Sequence, residues 1–374
     1  MKKHIYAIFF TGAVAISASS CDKGLGVQTG SGEGIKIEAA ASIADCAQTK
    51  APVFPTGTPD DNGYMAMPSG STFGLFICKH STATPNPYEE HSADYNNIEV
   101  YRYSSSWQYT YGGRTESSMY IILQKEMNDK GQVIIDENGE ETIIEADMFA
   151  YAPYKSGVAS PEYVPFNIKN QEDLMYCIEN IDPDKNKKIN PRTIAEATAP
   201  GQTPSYQAQF SFKHLLTLLE FNFTMKNNSG TYSTLTNIKV EKGNESAVLY
   251  TSGSMDALSG RLENLSQDGT LSVSQNSDIY ANSKGGKAYL MMVPNEDYKD
   301  DDYIFEFTFN GISLTNSRFV LKKEYLRHGT SDEYGLKAGY KYTFNFIIDN
   351  YIHFKNIEVG QWTEQTKPLM GIEI

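Results

Sequence analysis

Asp182, Asp184 and Asn186 occupy the first, third and fifth positions of a loop whose oxygens could ligate calcium. The sixth position, which needs Gly for its sharp turn, is Lys187, and the twelfth, which needs a bidentate Glu, is Thr193. With lysines inside the loop as well, the segment reads as a solvated turn. Asp300, Asp301 and Asp302 read likewise, as a loop before a strand starting at Tyr303. The six His, at positions 4, 80, 91, 214, 328 and 353, form no H-E-x-x-H and no close pair at a ligand interval. No nucleophile elbow, phosphate loop or dinucleotide fingerprint occurs either. Cys46, Cys78 and Cys177 lack the C-x-x-C spacing of zinc or redox sites. They fit one disulfide with a spare thiol or, better, buried small hydrophobes, Cys78 closing the apolar run from Phe73 to Ile77. The expectation is a chain without metal, cofactor or catalytic residues.

Two other patterns could act on a partner. Trp107, Tyr109 and Tyr111 alternate, so one face of a strand could present rings to a glycan; cross-strand packing inside a sandwich produces the same pattern. At the N-terminus, Met1-Lys2-Lys3 precedes an apolar run from Ile5 to Ile16 and then Ser17-Ala18-Ser19-Ser20-Cys21. A basic start, a short apolar run and small residues compose a secretory signal, 1–20, too short to cross a bilayer of about 30 Å. Small residues directly before Cys21 resemble a bacterial lipobox, with Ala18 where Leu is commoner, so Cys21 is expected to carry lipid. Gly24, Gly26, Gly30, Gly32 and Gly34 then make 21–34 a flexible tether. The lipid would hold the folded part at the outer membrane, on the cell surface.

These groups must be positioned by strands. The 374 residues include 25 Tyr and 18 Phe, a load that favours sheets over helical bundles and provides enough apolar mass for two domains. A net charge of −14 argues against nucleic acid, whose phosphates require concentrated Lys and Arg. Short β-type runs recur without long amphipathic helices between them: Ile35–Ile43, Thr72–Cys78, Ile98–Tyr103, Met119–Leu123, Leu235–Val240, Ala247–Tyr250, Leu271–Ser274, Ala288–Val293, Tyr303–Phe309, Tyr340–Ile348 and Ile352–Val359. Asn138-Gly139 predicts a hairpin turn between Val133–Ile135 and Thr142–Ile144. His214–Phe223 fits either a helical turn through Leu215, Leu216, Leu218 and Leu219 or a strand. Pro183, Pro191, Pro200 and Pro204 mark a linker, which sets the domains at 35–205 and 206–374, the second ending in a short tail.

Several segments, in order, resemble landmarks of the fimbrillins of Gram-negative gut and oral anaerobes. They are the lipobox, Ala150-Tyr151-Ala152-Pro153-Tyr154, Phe210-Ser211-Phe212-Lys213-His214-Leu215-Leu216, Gly339-Tyr340-Lys341-Tyr342-Thr343-Phe344 and Ile357-Glu358-Val359-Gly360-Gln361-Trp362. The resemblance implies an all-β chain of two tandem transthyretin-like β-sandwich domains, lipoprotein export, and assembly with other pilin subunits. In such pilins a protease removes the first strand, and the groove accepts a strand from the next subunit. Here the removable strand would carry Ile35, Ile37, Ala39, Ala41 and Ile43. The tail residues Met370, Ile372 and Ile374 alternate like a donor strand, and equally like a frayed end or a last edge strand. Family stalk subunits are often cleaved after Arg. The first Arg here is Arg102, so the cut would fall elsewhere, with Lys50 before Ala51-Pro52 as one site, or the chain keeps its first strand as a tip or anchor subunit. The competing expectation is a monomeric surface glycan-binding lipoprotein, with a host or glycan ligand as its partner.

Overall fold

Runs rich in β-branched and aromatic residues, broken by Gly, Asn and Asp, become strands throughout the computed structural model. It describes residues 34–43, 65–80, 86–87, 95–111, 114–117, 119–122, 125–142, 144–180, 188–189, 205–226, 232–280, 286–328 and 333–362. The first half contributes β1 (Gly34–Ile43), β2 (Met65–Ala66), β3 (Thr72–Lys79), β4 (Asn86–Pro87), β5 (Ile98–Tyr103), β6 (Ser106–Tyr111), β7 (Arg114–Glu116), β8 (Met119–Ile122), β9 (Ala146–Ala152), β10 (Val164–Asn167), β11 (Met175–Asn180), β12 (Lys188–Ile189) and β13 (Ser205–His214). The second half contributes β14 (Thr217–Met225), β15 (Tyr232–Lys242), β16 (Tyr250–Asp256), β17 (Arg261–Gln267), β18 (Thr270–Tyr280), β19 (Gly286–Met292), β20 (Tyr303–Asn310), β21 (Arg318–Val320), β22 (Tyr340–Ile348) and β23 (Ile352–Gln361). The all-β class is as the sequence reads.

Twelve strands share the first sheet, in the order β2-β1-β13-β11-β9-β3-β5-β6-β7, with β12 on β9, β4 on β3 and β8 on β1. At about 4.8 Å between neighbours, β13 and β3 would lie about 14 Å apart in a flat sheet. Yet the Phe73 ring on β3 sits 5.1 Å from Phe210 and 5.3 Å from Phe212 on β13, and 5.2 Å from Trp107 on β6. The sheet therefore curls around these rings, which form a core with Leu75, Ile77, Val100, Tyr109 and Ala208. β3 is buried on both faces, and its Phe76 and Cys78 point into a second core. A Cβ at Gly74 would stand 2.2 Å from the Tyr151 ring, so only Gly lets that ring lie flat across β3. The Tyr151 hydroxyl donates to Asn97 Oδ1 at 2.8 Å.

The second core lies between two four-stranded sheets, β19-β14-β22-β23 and β18-β15-β20-β21, packed face to face as a β-sandwich. Phe221 meets Phe305 at 5.4 Å and Phe307 at 5.3 Å, and Phe223 meets Phe307 at 5.1 Å. β10, from the first half, pairs with β16 in a three-stranded sheet with β17.

Local expectations resolve as follows. Leu215 to Leu219 are not helical; the chain turns at Leu216 and continues as β14, all four leucines buried. Ala247–Leu249 is not a strand, because Asn244 Oδ1 accepts the Ala247 amide at 2.8 Å and holds a turn until β16 begins at Tyr250. The Asn138-Gly139 turn forms, Gly139 having φ of 84° and Asp136 Oδ1 accepting the amides of Asn138 and Glu140 at 2.9 Å. Its flanks meet at the single bridge of Ile135 with Glu141, and Ile144 at the end of the second flank packs against the first core.

Candidate functional site

β1 is the strand that the resemblance marks as removable. It runs parallel to β13 over eight residue pairs, Lys36 with Ser205 through Ile43 with Phe212. Its other edge pairs antiparallel with β8 at Gly34–Ile37 and with β2 at Ser42 and Ile43. Ile35, Ile37, Ala39 and Ile43 are thus fixed in register by backbone pairing, and Ala41, opposite Phe210, is buried in the first core. Beside them β13 sets Ala208, Phe210 and Phe212, each fully buried. Without β1 this row would line a groove with one open strand edge, a template for main-chain pairing.

The second notable place is where the last strand ends. Trp362 is buried, and its ring stacks on His214 at 4.1 Å. The Trp362 amide donates to Gly339 O at 2.9 Å, and Gly339, at φ 70°, donates to Leu216 O at 2.9 Å. His214 Nδ1 lies 2.9 Å from Asp173 Oδ1, both side chains fully enclosed. Burial raises the Asp173 carboxyl above its ordinary range, against the opposing pull of His214. Three segments distant in sequence, ending at His214, beginning at Gly339 and ending at Trp362, meet here and anchor the end of β23.

The remaining expected residues divide clearly. Cys21, Met370, Ile372, Ile374 and Lys50 lie outside the described residues, as does the Asp182–Thr193 loop apart from Lys188 and Ile189. The glycan platform is corrected: Trp107 is 8% exposed and Tyr109 is 0% exposed, because β6 turns this face to Phe73 and the first core. Tyr111 is described only as backbone, paired with Arg114. Arg102 sits within β5 with its guanidinium 5.9 Å above the Trp107 ring, so cleavage after it would require the strand to leave the sheet. Asp300, Asp301 and Asp302 diverge: Asp300 caps the Lys323 amide, Asp301 pairs with Lys322, and Asp302 caps the Lys299 amide. Among the described residues no group of three His, Cys, Asp or Glu could hold a metal, and no helix is long and apolar enough to cross a membrane. Cys78 and Cys177 are both buried, and burial pushes the Cys78 thiol up to about 12.

Residues 68–363 match the model of a family described as fimbrillin-like. No curated protein matches. Among solved structures, the chain is similar to a candidate cell adhesion protein from Bacteroides uniformis, at 13% identity over 88% of this chain and 99% of that one, TM-score 0.46. It is similar to a fimbrial protein from Bacteroides vulgatus at 16% identity over 89% and 100% of the two chains, TM-score 0.38. A C-terminally truncated tip fimbrial protein of Porphyromonas gingivalis aligns at 8% identity over 88% and 100%, TM-score 0.39.

Proposed function

The chain belongs to the fimbrillin-like family, and from that premise we propose that it is a fimbrial subunit, exported as a lipoprotein through Cys21 and assembled with other subunits by strand exchange at the β1 slot. The observation that carries the reading is the eight-pair parallel ladder between β1 and β13, closed on its far side only by short stretches of β8 and β2. A cut in the segment after Ile43 would free β1 and open the groove beside Phe210 and Phe212. A strand from the next subunit, for which Met370, Ile372 and Ile374 are the candidates, would then restore the pairing. The protein acts as structure and not as an enzyme, at the cell surface. Two sandwich domains organise it, and we divide them after β13 rather than at residue 205, because β13 pairs in the first sheet and β14 in the next.

Intact mass and N-terminal sequence of the protein recovered from cells, with its size on an unboiled gel, test this. A ladder whose subunits begin beyond Ile43 supports a polymerising subunit. A single lipidated species beginning at Cys21 and bound to a fimbria makes it a tip or anchor that keeps β1. An unlipidated or lipidated monomer associated with no fimbria would overturn the reading.

A further inference from the structure

The first sheet and the second sandwich are tied together around one buried ring. His214 closes β13, Asp173 precedes β11, Gly339 precedes β22 and Trp362 follows β23. His214 is set between two groups: Asp173 Oδ1 at its edge, 2.9 Å from Nδ1, and the Trp362 ring over its face, at 4.1 Å with 24° between the planes. Both neighbours favour an imidazolium, the carboxylate through its charge and the indole through the negative face of its π system. Among the described residues, His214 Nε2 and Asp173 Oδ2 are buried and meet no other hydrogen-bond partner, so each charge is balanced by the other. The charged side chains of the surrounding elements are engaged elsewhere. Lys213 on β13 is exposed, and Glu172 before β11 pairs with Lys155 at 3.3 Å. Lys337 ahead of β22 pairs with Glu333, Lys341 on β22 and Lys287 on β19 stand against Glu220 of β14, and Glu358 on β23 accepts from Asn345.

An imidazole in water gives up its proton near about pH 6.5. Where the joint opens, that loss leaves a neutral ring and a carboxylate, both solvated. Where it is closed, the same loss leaves the Asp173 carboxylate enclosed without a counter-charge and removes the cation from the Trp362 face, so the closed pair keeps a proton that the open pair releases. Burial raises the Asp173 carboxyl, and a carboxyl raised on closing contributes stability that falls as pH rises, which is the same direction. We propose that Asp173, His214 and Trp362 form a proton-dependent joint between the first sheet and the end of β23, firmest at mildly acidic pH and progressively looser above neutrality. It stands apart from the β1 slot and holds whether or not β1 is exchanged.

Amide hydrogen exchange of the full mature chain at pH 6.5 and pH 8.5, corrected for the intrinsic rate at each pH, tests this. The reporters are the Trp362 amide, bonded to Gly339 O, and the Gly339 amide, bonded to Leu216 O; Phe344, paired on both sides within β22, is the reference. Release of one proton on opening allows the opening constant to rise by at most about tenfold per pH unit. The joint predicts a rise of about tenfold or more over this interval at Trp362 and Gly339, with none at Phe344. Asp173→Asn, which leaves no carboxylate to strand, should remove the rise at both reporters. His214→Gln should remove it too and serves if the first variant does not fold; if neither folds, the wild-type contrast between the reporters and Phe344 decides. No rise in the wild type, a rise shared equally by Phe344, or the full rise retained in a folded variant overturns the proposal.

Discussion

The two halves of the molecule each contain a parallel strand pair of the same length. β1 meets β13 over eight pairs, and β14 meets β22 over eight pairs, Leu218 with Lys341 through Met225 with Ile348. Their main-chain hydrogen bonding is therefore comparable, and the difference lies in side chains. β14 inserts Leu218, Leu219, Phe221, Phe223 and Met225 into the fold, all buried, and is flanked along its length by β19 and β22. β1 reads Gly34-Ile-Lys-Ile-Glu-Ala-Ala-Ala-Ser-Ile43, with three alanines at its centre. Full burial of a Leu or Phe side chain is worth about 1.5–3 kcal/mol, whereas an Ala methyl offers about 0.8. At the centre of β1, where Ala41 is the side chain described as buried, little apolar burial adds to the backbone ladder, which suits the exchange proposed for this strand. The β14 ladder also locks phenylalanine rings between two sheets, which opposes any such exchange there.

Four substitutions or probes would break or sharpen that contrast. Phe221→Ala should destabilise most, by about 3–5 kcal/mol in denaturant unfolding, because the ring touches Phe305, Phe307, Phe344 and Phe346 and leaves a large void. Gly74→Ala should cost about 1–3 kcal/mol, since its methyl meets the Tyr151 ring at 2.2 Å and that ring is held by Asn97. Ala41→Gly should lower stability by only about 0.5–1 kcal/mol, the backbone-entropy cost of Gly in a strand, with the loss confined to β1 in hydrogen exchange. A β1 substitution as costly as Phe221→Ala would contradict the contrast.

The smallest effect concerns Cys78, on the back of β3. Burial moves its thiol from 9.0 to about 12, so at pH 8 the native chain should react with a thiolate-seeking reagent about a thousandfold more slowly than the denatured chain. Below pH 9 both states keep the proton and Cys78 contributes nothing to pH dependence. Above pH 9 the unfolded chain ionises first, so stability falls as pH rises toward 12. Rapid native labelling of Cys78 at pH 8 would show that β3 opens locally and that the first sheet is looser than its burial indicates.

What the sequence makes legible follows from the range of each interaction. Tyr340–Ile348 reads directly as a strand because its apolar positions alternate locally, and the observed bounds agree. The strand Val164–Asn167 is not legible: four residues including a Pro give no pattern, and the segment is a strand only because β16 pairs with it. Alternation in Trp107 and Tyr109 identifies a strand face but not which way it looks; Phe73, remote in sequence, decides that. The β1–β13 and β14–β22 pairings depend on register between distant segments. The landmarks at His214, Gly339 and Trp362 are short and separate in the chain, and their common purpose becomes visible only when they meet around one buried stack.

The most direct test of the proposal that β1 is exchanged during assembly is to lock it. Ala40 and Gln209 are register partners, so Ala40→Cys with Gln209→Cys would tie β1 to β13 through a disulfide. Size on an unboiled gel, with and without reductant during assembly, is the measurement. The account predicts that the oxidised variant gives single subunits and that reduction restores the ladder formed by the wild type. A full-length ladder from the oxidised, locked variant would contradict it.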